Sequence, residues 1–130
     1  METIGKVLLV EAKKCDREVL PKLLKCLGFQ TIVAENTEEA LSLLKSNEGN
    51  KIDAILLSVE ILNTNALDLI EWLRKRHKDD EIIISSCEPL DELLCNTLGV
   101  AFVQKPITNF KTIDIALSNA ILNRKARSQK

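Results

Sequence analysis

The sequence predicts an α/β fold in which helices wrap a parallel β-sheet, and three observations carry that expectation. Short apolar runs of strand length alternate five times with amphipathic stretches at helical spacing. Helix punctuation falls between them: Asn36 and Pro89 stand where helices would begin, Gly28 and Gly99 where they would end. At 130 residues, 45% of them hydrophobic, the chain has room for one domain with a proper core and none for a second domain.

The runs at residues 6–10, 30–33, 53–57, 81–85 and 101–104 read as strands. Between the first two, Val19, Leu20, Leu23, Leu24 and Leu27 repeat at helical spacing, Gly28 suits a left-handed cap, and Pro21 is expected to kink the helix. The second helix is announced by Asn36-Thr37-Glu38-Glu39, a capping side chain followed three residues later by Glu. Its inward stripe is expected to be Ala40, Leu41, Leu43 and Leu44. A third helix spans about residues 66–75, and the charged run at 74–80, which holds the single histidine His77, reads as its solvated end. The fourth starts after Pro89 and is expected to turn Leu90, Leu93, Leu94 and Leu98 inward before Gly99. The fifth follows Thr108 as a cap, with Phe110, Ile113, Leu117, Ala120 and Ile121 inward. From Arg124 the chain turns polar, so a domain over 1–123 with a frayed tail at 124–130 is expected. Asn47–Lys51 and residues 63–65 read as loops.

Composition narrows the function classes. A formal net charge of −1 with 28% charged residues gives no bias towards nucleic acid or an acidic membrane surface. Trp72 and three Phe are too few aromatics for a base-stacking surface. The apolar runs are far shorter than the roughly 20 residues that span a bilayer. The amino terminus lacks the apolar core of a signal peptide, so a cytoplasmic location is expected. Cys15, Cys26, Cys87 and Cys95 form no C-x-x-C pair, and with His77 alone to help they do not spell a zinc site. Free structural thiols are expected, a redox role for Cys87 and Cys95 being the alternative.

Ligands of open α/β sheets bind beyond the carboxyl ends of the strands, which directs attention to Glu11, Ser58, Ser86 and Lys105, with Glu60 two residues past Ser58. The fragments that hold them, KVLLVEA (6–12), DAILLSVEIL (53–62) and FVQKPI (102–107), resemble the response-regulator receiver domain, the CheY-like family. The resemblance runs from Lys6 to about Leu122 and includes Gly28-Phe29 followed by AENTEEAL (34–41), with Thr37 where the family has Gly. It implies a flavodoxin-like, doubly wound sheet of five parallel strands in the order 2-1-3-4-5 with five helices. Periodicity alone leaves other doubly wound orders open.

In the family the first strand ends in two acidic residues, the third in an aspartate that accepts phosphate, the fourth in Thr or Ser and the fifth in Lys-Pro. An aromatic three residues before that lysine swings when phosphate binds. Here those places hold Glu11 and Ala12, Ser58, Ser86, Lys105 with Pro106, and Phe102. The nucleophile is therefore missing. Of the three carboxylates the family uses for its magnesium ion the chain matches only Glu11, and Glu60 is expected to point to solvent. The family's Met-Pro and Asp-Gly appear as Ile61-Leu62 and Asn65-Ala66, and the stretch from Ser86 to Lys105 is short. Ser58 is un-ionised at neutral pH and has no G-x-S-x-G elbow, which argues against hydrolase chemistry.

Lys105 needs a counter-charge, and Glu11 can supply it, with Ser58 joining them. The Lys-Pro peptide is frequently cis in the family. The expectation is a stand-alone, degenerate pseudo-receiver, a non-enzymatic signalling module, monomeric or weakly dimeric, with no catalytic residue, metal or cofactor. The resemblance implies two-component or phosphorelay partners: a histidine kinase, another regulator or a receiver-controlled target. One alternative is an active phosphoacceptor at Ser58 or a nearby acid. Another is a small-molecule module in the same crevice, disfavoured by the absence of a Gly-rich phosphate loop.

Overall fold

Five short strands and five helices alternate along the chain, as their apolar periods require. The computed structural model describes residues 4–58, 66–76, 81–107 and 109–128, the side chains of 127 and 128 excepted. In order the elements are β1 (Gly5–Glu11), α1 (Lys14–Cys26), β2 (Phe29–Ala34), α2 (Thr37–Lys45), a 3₁₀ helix (Asn47–Lys51), β3 (Ala54–Ser58), α3 (Ala66–Arg74), β4 (Ile82–Ser86), α4 (Pro89–Leu98), β5 (Ala101–Gln104) and α5 (Phe110–Ser128). The strands form one parallel sheet in the order β2-β1-β3-β4-β5. This is the flavodoxin-like order that the resemblance implied.

Both β3 (AILLS) and β4 (IIISS) are buried at every position, the pattern of strands covered on both faces. At the sheet edges β2 and β5 are partly exposed. Successive β1 residues divide between two cores, because side chains alternate across a strand. Leu8 and Val10 pack with Ala40, Leu44, Leu69, Leu73 and Cys95 under α2, α3 and α4. Val7 and Leu9 pack on the opposite face with Leu24, Ile113, Leu117 and Ile121 of α1 and α5. No helix among the described residues is long and apolar enough to cross a membrane.

Local chemistry explains the helix ends. The Asn36 side chain accepts a 2.8 Å hydrogen bond from Glu39 N, while the Glu39 carboxylate accepts from Glu35 N at 3.3 Å. The reciprocal half of the capping box thus reaches one residue further back than the simple motif. Gly28 and Gly99 adopt φ of +97° and +74°, the left-handed conformation that closes α1 and α4. The stretch after α2 is a 3₁₀ helix, where a loop was expected; Ser46 Oγ accepts from Glu48 N at 3.2 Å and caps it.

The structure corrects several inward stripes. On α4, Leu90 and Leu93 are 56% and 62% exposed, whereas Asp91 and Cys95 are fully buried and Leu94 and Leu98 partly so. A buried Ser86–Asp91 hydrogen bond brings the Asp91 side of the helix inward. Val19 on α1 and Phe110 in the first turn of α5 are exposed as well. Pro21 lies within α1, which is assigned as one helix from Lys14 to Cys26. The tail expected to fray from Arg124 is instead helical, since α5 continues to Ser128. Arg124 reaches back to Asp53 Oδ1 at 2.7 Å and to the Asn50 carbonyl at 2.8 Å, and the other Asp53 oxygen accepts from Lys6 N. The first residue of that polar run is thus held by a long-range ion pair. Glu60, Ile61, Leu62, Asn63, Asn65, His77 and Thr108 lie outside the described residues.

Candidate functional site

Parallel pairing places Glu11 directly beside Ser58 at the carboxyl ends of β1 and β3. Both are almost wholly buried, at 1% and 2% exposure, so their polar atoms need partners within the protein. They find each other. Ser58 Oγ donates to Glu11 Oε1 at 2.5 Å, and Lys105 Nζ, arriving from the end of β5, donates to the same oxygen at 3.1 Å. Glu11 Oε2 accepts from Lys13 N at 3.1 Å. One carboxylate thus binds a hydroxyl, an ammonium and a backbone amide.

The neighbouring strand end is tied to the same lysine through its backbone. Lys105 N donates to the Ser86 carbonyl at 2.9 Å, and the Lys105–Pro106 peptide is cis. Ser86 Oγ donates to Asp91 Oδ2 at 2.8 Å and accepts from Glu88 N at 3.0 Å. Phe102 is half-buried against the core on the α2, α3 and α4 face. Beside the crevice an open groove of ≈ 550 Å³ runs between α1 and the start of α5, lined among others by Leu20, Leu23, Cys87, Lys105, Ile107 and Phe110.

No family model matches the chain. It is 32% identical over 123 residues to the transcriptional regulatory protein CpxR of Escherichia coli K12, across 93% of this chain and 50% of that protein. The chain therefore spans about half the length of the curated relative. Its fold matches a response regulator receiver domain protein from Clostridium thermocellum with a TM-score of 0.80, at 22% identity, over 95% of this chain and 98% of the other. It also matches the non-phosphorylated HemR receiver domain from Leptospira biflexa, with a TM-score of 0.69 at 26% identity over 90% and 94% of the two chains. The chain has the fold of a response-regulator receiver domain and is similar to such domains in sequence.

Within this receiver domain the residues singled out from sequence fall into two groups. Glu11, Ser58 and Lys105 meet, as the need for a counter-charge to Lys105 led one to expect. Ser86 meets the cluster only through its carbonyl, which accepts from Lys105 N, Pro106 follows Lys105 in the chain, Phe102 packs against the core on the α2, α3 and α4 face, and Ala12 is exposed and offers no side-chain donor or acceptor. A magnesium ion of the kind the family uses does not fit the described donors. Both oxygens of Glu11 are already engaged, Ser58 contributes a neutral hydroxyl, and the position after Glu11 is a methyl group. Among the described residues no group of three His, Cys, Asp or Glu side chains could hold a metal ion.

Two residues bonded near the strand ends carried no warning in the sequence. Asp91 is fully buried although it sits in an acidic first helical turn, where exposure is the ordinary outcome. Arg17 lies in the second turn of α1, and its Nη1 donates to the Ala12 carbonyl at 2.5 Å and to the Glu11 carbonyl at 3.3 Å. Spacing of six residues from Glu11 is the sole hint that an arginine there could reach back over the strand end. All four cysteines are free thiols; Cys87 is exposed and Cys95 buried. Burial, then the nearby carboxylates Asp91 and Glu92, push the Cys95 thiol up from 9.0 to about 11.

Proposed function

We propose that this receiver domain is a degenerate signalling module, a pseudo-receiver that acts by binding another protein without being phosphorylated and without catalysing a reaction. The observation that supports the reading is the closed cluster of Glu11, Ser58 and Lys105. Phosphoryl transfer to a receiver requires an ionised acceptor, a cation to neutralise the incoming charge, and room for the phosphoryl group. Here the acceptor position holds a buried neutral hydroxyl, and the lysine that would meet phosphate is paired with a carboxylate from its own chain. Two-component partners fit best: a histidine kinase, another regulator, or a target that other receivers control.

Incubation with acetyl phosphate and magnesium, followed by intact mass measurement, tests the reading. The expected mass is unchanged. A gain of one phosphate that disappears in Ser58→Ala would replace this reading with an active acceptor at Ser58.

A further inference from the structure

We propose that Asp53 Oδ1 and the Asn50 carbonyl form a guanidinium-binding site at the amino ends of β1 and β3, that Arg124 fills it from within the chain, and that the last turns of α5 stay helical only while it is filled. Glu11, Ser58 and Lys105 lie at the opposite, carboxyl end of the sheet, so the inference stands apart from the reading of that crevice.

Arg124 Nη1 donates to Asp53 Oδ1 at 2.7 Å, and Nη2 donates to the Asn50 carbonyl at 2.8 Å. A planar guanidinium fork serves two such acceptors at once, where an ammonium behaves as a point charge. Both acceptors are fixed without the arginine. Asp53 Oδ2 accepts from Lys6 N at 2.9 Å and Asp53 N donates to the Lys6 carbonyl at 2.8 Å, which holds the carboxylate on β1, while Asn50 belongs to the 3₁₀ helix that Ser46 caps. The ion pair is largely withdrawn from water, its two side chains being 26% and 17% exposed. Gly5 is a separate sign of a built site. A Cβ there would lie 3.1 Å from Asp53 Oδ2 and 2.7 Å from Ile121 Cδ1, so a residue without a side chain is what lets the carboxylate and α5 close over the start of β1.

The consequence for α5 follows from where its apolar burial stops. Ile121 is buried, Leu122 is 63% exposed, and among residues 122–126 Arg124 alone is drawn in from solvent. A polar helix end without core contacts has little to hold it, since a short helical segment is marginal in water. Arg124 supplies the missing attachment. A segment secured by one ion pair opens locally when that pair is lost, without unfolding the rest.

Two experiments test the proposal. The first reads hydrogen exchange of the amides in residues 122–128. Arg124→Gln and Asp53→Asn are each expected to speed it by about tenfold, while the amides of Ala54–Ser58 keep their protection and report an intact sheet. The double variant is expected to exchange no faster than either single one. Arg124→Lys keeps the charge but loses the fork, and is expected to behave as Arg124→Gln. Unchanged exchange in the single variants, multiplied effects in the double one, or full protection in Arg124→Lys overturns the proposal. The second titrates Arg124→Ala with methylguanidinium, with methylammonium at equal concentration as the control, followed by backbone amide shifts. Saturable shifts of Lys6, Lys51 and Asp53 are expected with methylguanidinium only, and neither cation is expected to produce them in the natural chain or when Asp53→Asn is added. Because the added cation has no tether to α5, protection of residues 122–128 is expected to stay lost. Equal responses to the two cations, the same saturable shifts in the natural chain, or restored protection of the helix end overturns the proposal.

Discussion

Glu11 has one carboxylate and serves three donors, and its removal shows what a buried acid holds in place. In Glu11→Ala, Lys105 loses the counter-charge 3.1 Å away, Ser58 loses its acceptor and Lys13 N loses a backbone partner. Breaking a mostly buried pair from one side leaves a charge uncompensated. The expected cost is about 1 to 4 kcal/mol, read from urea unfolding, with the lower part of that range reflecting the water that reaches Lys105. An unchanged urea midpoint would show that the cluster contributes nothing. Cys95 offers a second test at this scale. Its thiol is raised from 9.0 to about 11 by burial first, then by Asp91 and Glu92, so the folded state keeps a proton that the unfolded state releases. The stabilisation from that proton is fully present below pH 9 and is lost as pH rises towards about 11. Cys95→Val is expected to flatten the decline of stability over that window. At pH 8, alkylation should modify Cys15, Cys26 and Cys87 quickly and Cys95 slowly, which an intact-mass time course resolves.

Helix α4 shows which parts of an element its own sequence can specify. The Asn36 cap of α2 was legible because a local motif dictates it, and the strand spans were legible because β3 and β4 are apolar runs covered on both faces. The inner face of α4 was legible only in part, since Leu94 and Leu98 pack against the core while Leu90 and Leu93 do not. Four leucines at helical spacing favour one rotation, but the inward face is centred on Asp91 and Cys95, with Leu94 and Leu98 at its side, and the 2.8 Å bond from Ser86 across the loop holds Asp91 there. Arg124 and Arg17 were missed for the same reason, since each is placed by a partner distant in sequence or on another element. Glu11, Ser58 and Lys105 could be anticipated because they stand at strand ends and the receiver resemblance implied the order that brings those ends around one crevice. The α4 geometry makes a contrasting pair of predictions. Asp91→Ala should cost about 1 to 3 kcal/mol and speed hydrogen exchange of the amides in Pro89–Leu98, because Ser86 loses a buried acceptor. Leu93→Gln, at a position 62% exposed, should change stability by no more than about 0.5 kcal/mol. Should Leu93→Gln prove the more damaging of the two, the rotation of the helix described above is wrong.

Across the whole molecule, the question is whether one conformation or two is encoded. A receiver that signals by phosphate holds two states in balance, and phosphate shifts them only by binding one better than the other. The groups that would feel such a ligand are already committed in this chain. Lys105 is bound to Glu11, Ser86 to Asp91, and Phe102 packs against the same core that holds Cys95 of α4. Each commitment is a hydrogen bond or a packing contact made without an added ligand, and the Lys105 N bond to the Ser86 carbonyl ties β5 to β4 in the same arrangement. A single dominant surface is therefore expected. Ring-deuterated or fluorinated phenylalanine makes Phe102 observable by NMR, with Phe102→Leu assigning its signal among the three phenylalanines of the chain. One signal is expected, unmoved by acetyl phosphate and magnesium. In Ala12→Asp with Ser58→Asp, where the acidic donors return, the signal is expected to become responsive. Two exchanging Phe102 signals in the natural chain, shifted in population by the phosphodonor, would mean that the switch survives and that its trigger lies somewhere other than the Glu11, Ser58 and Lys105 cluster.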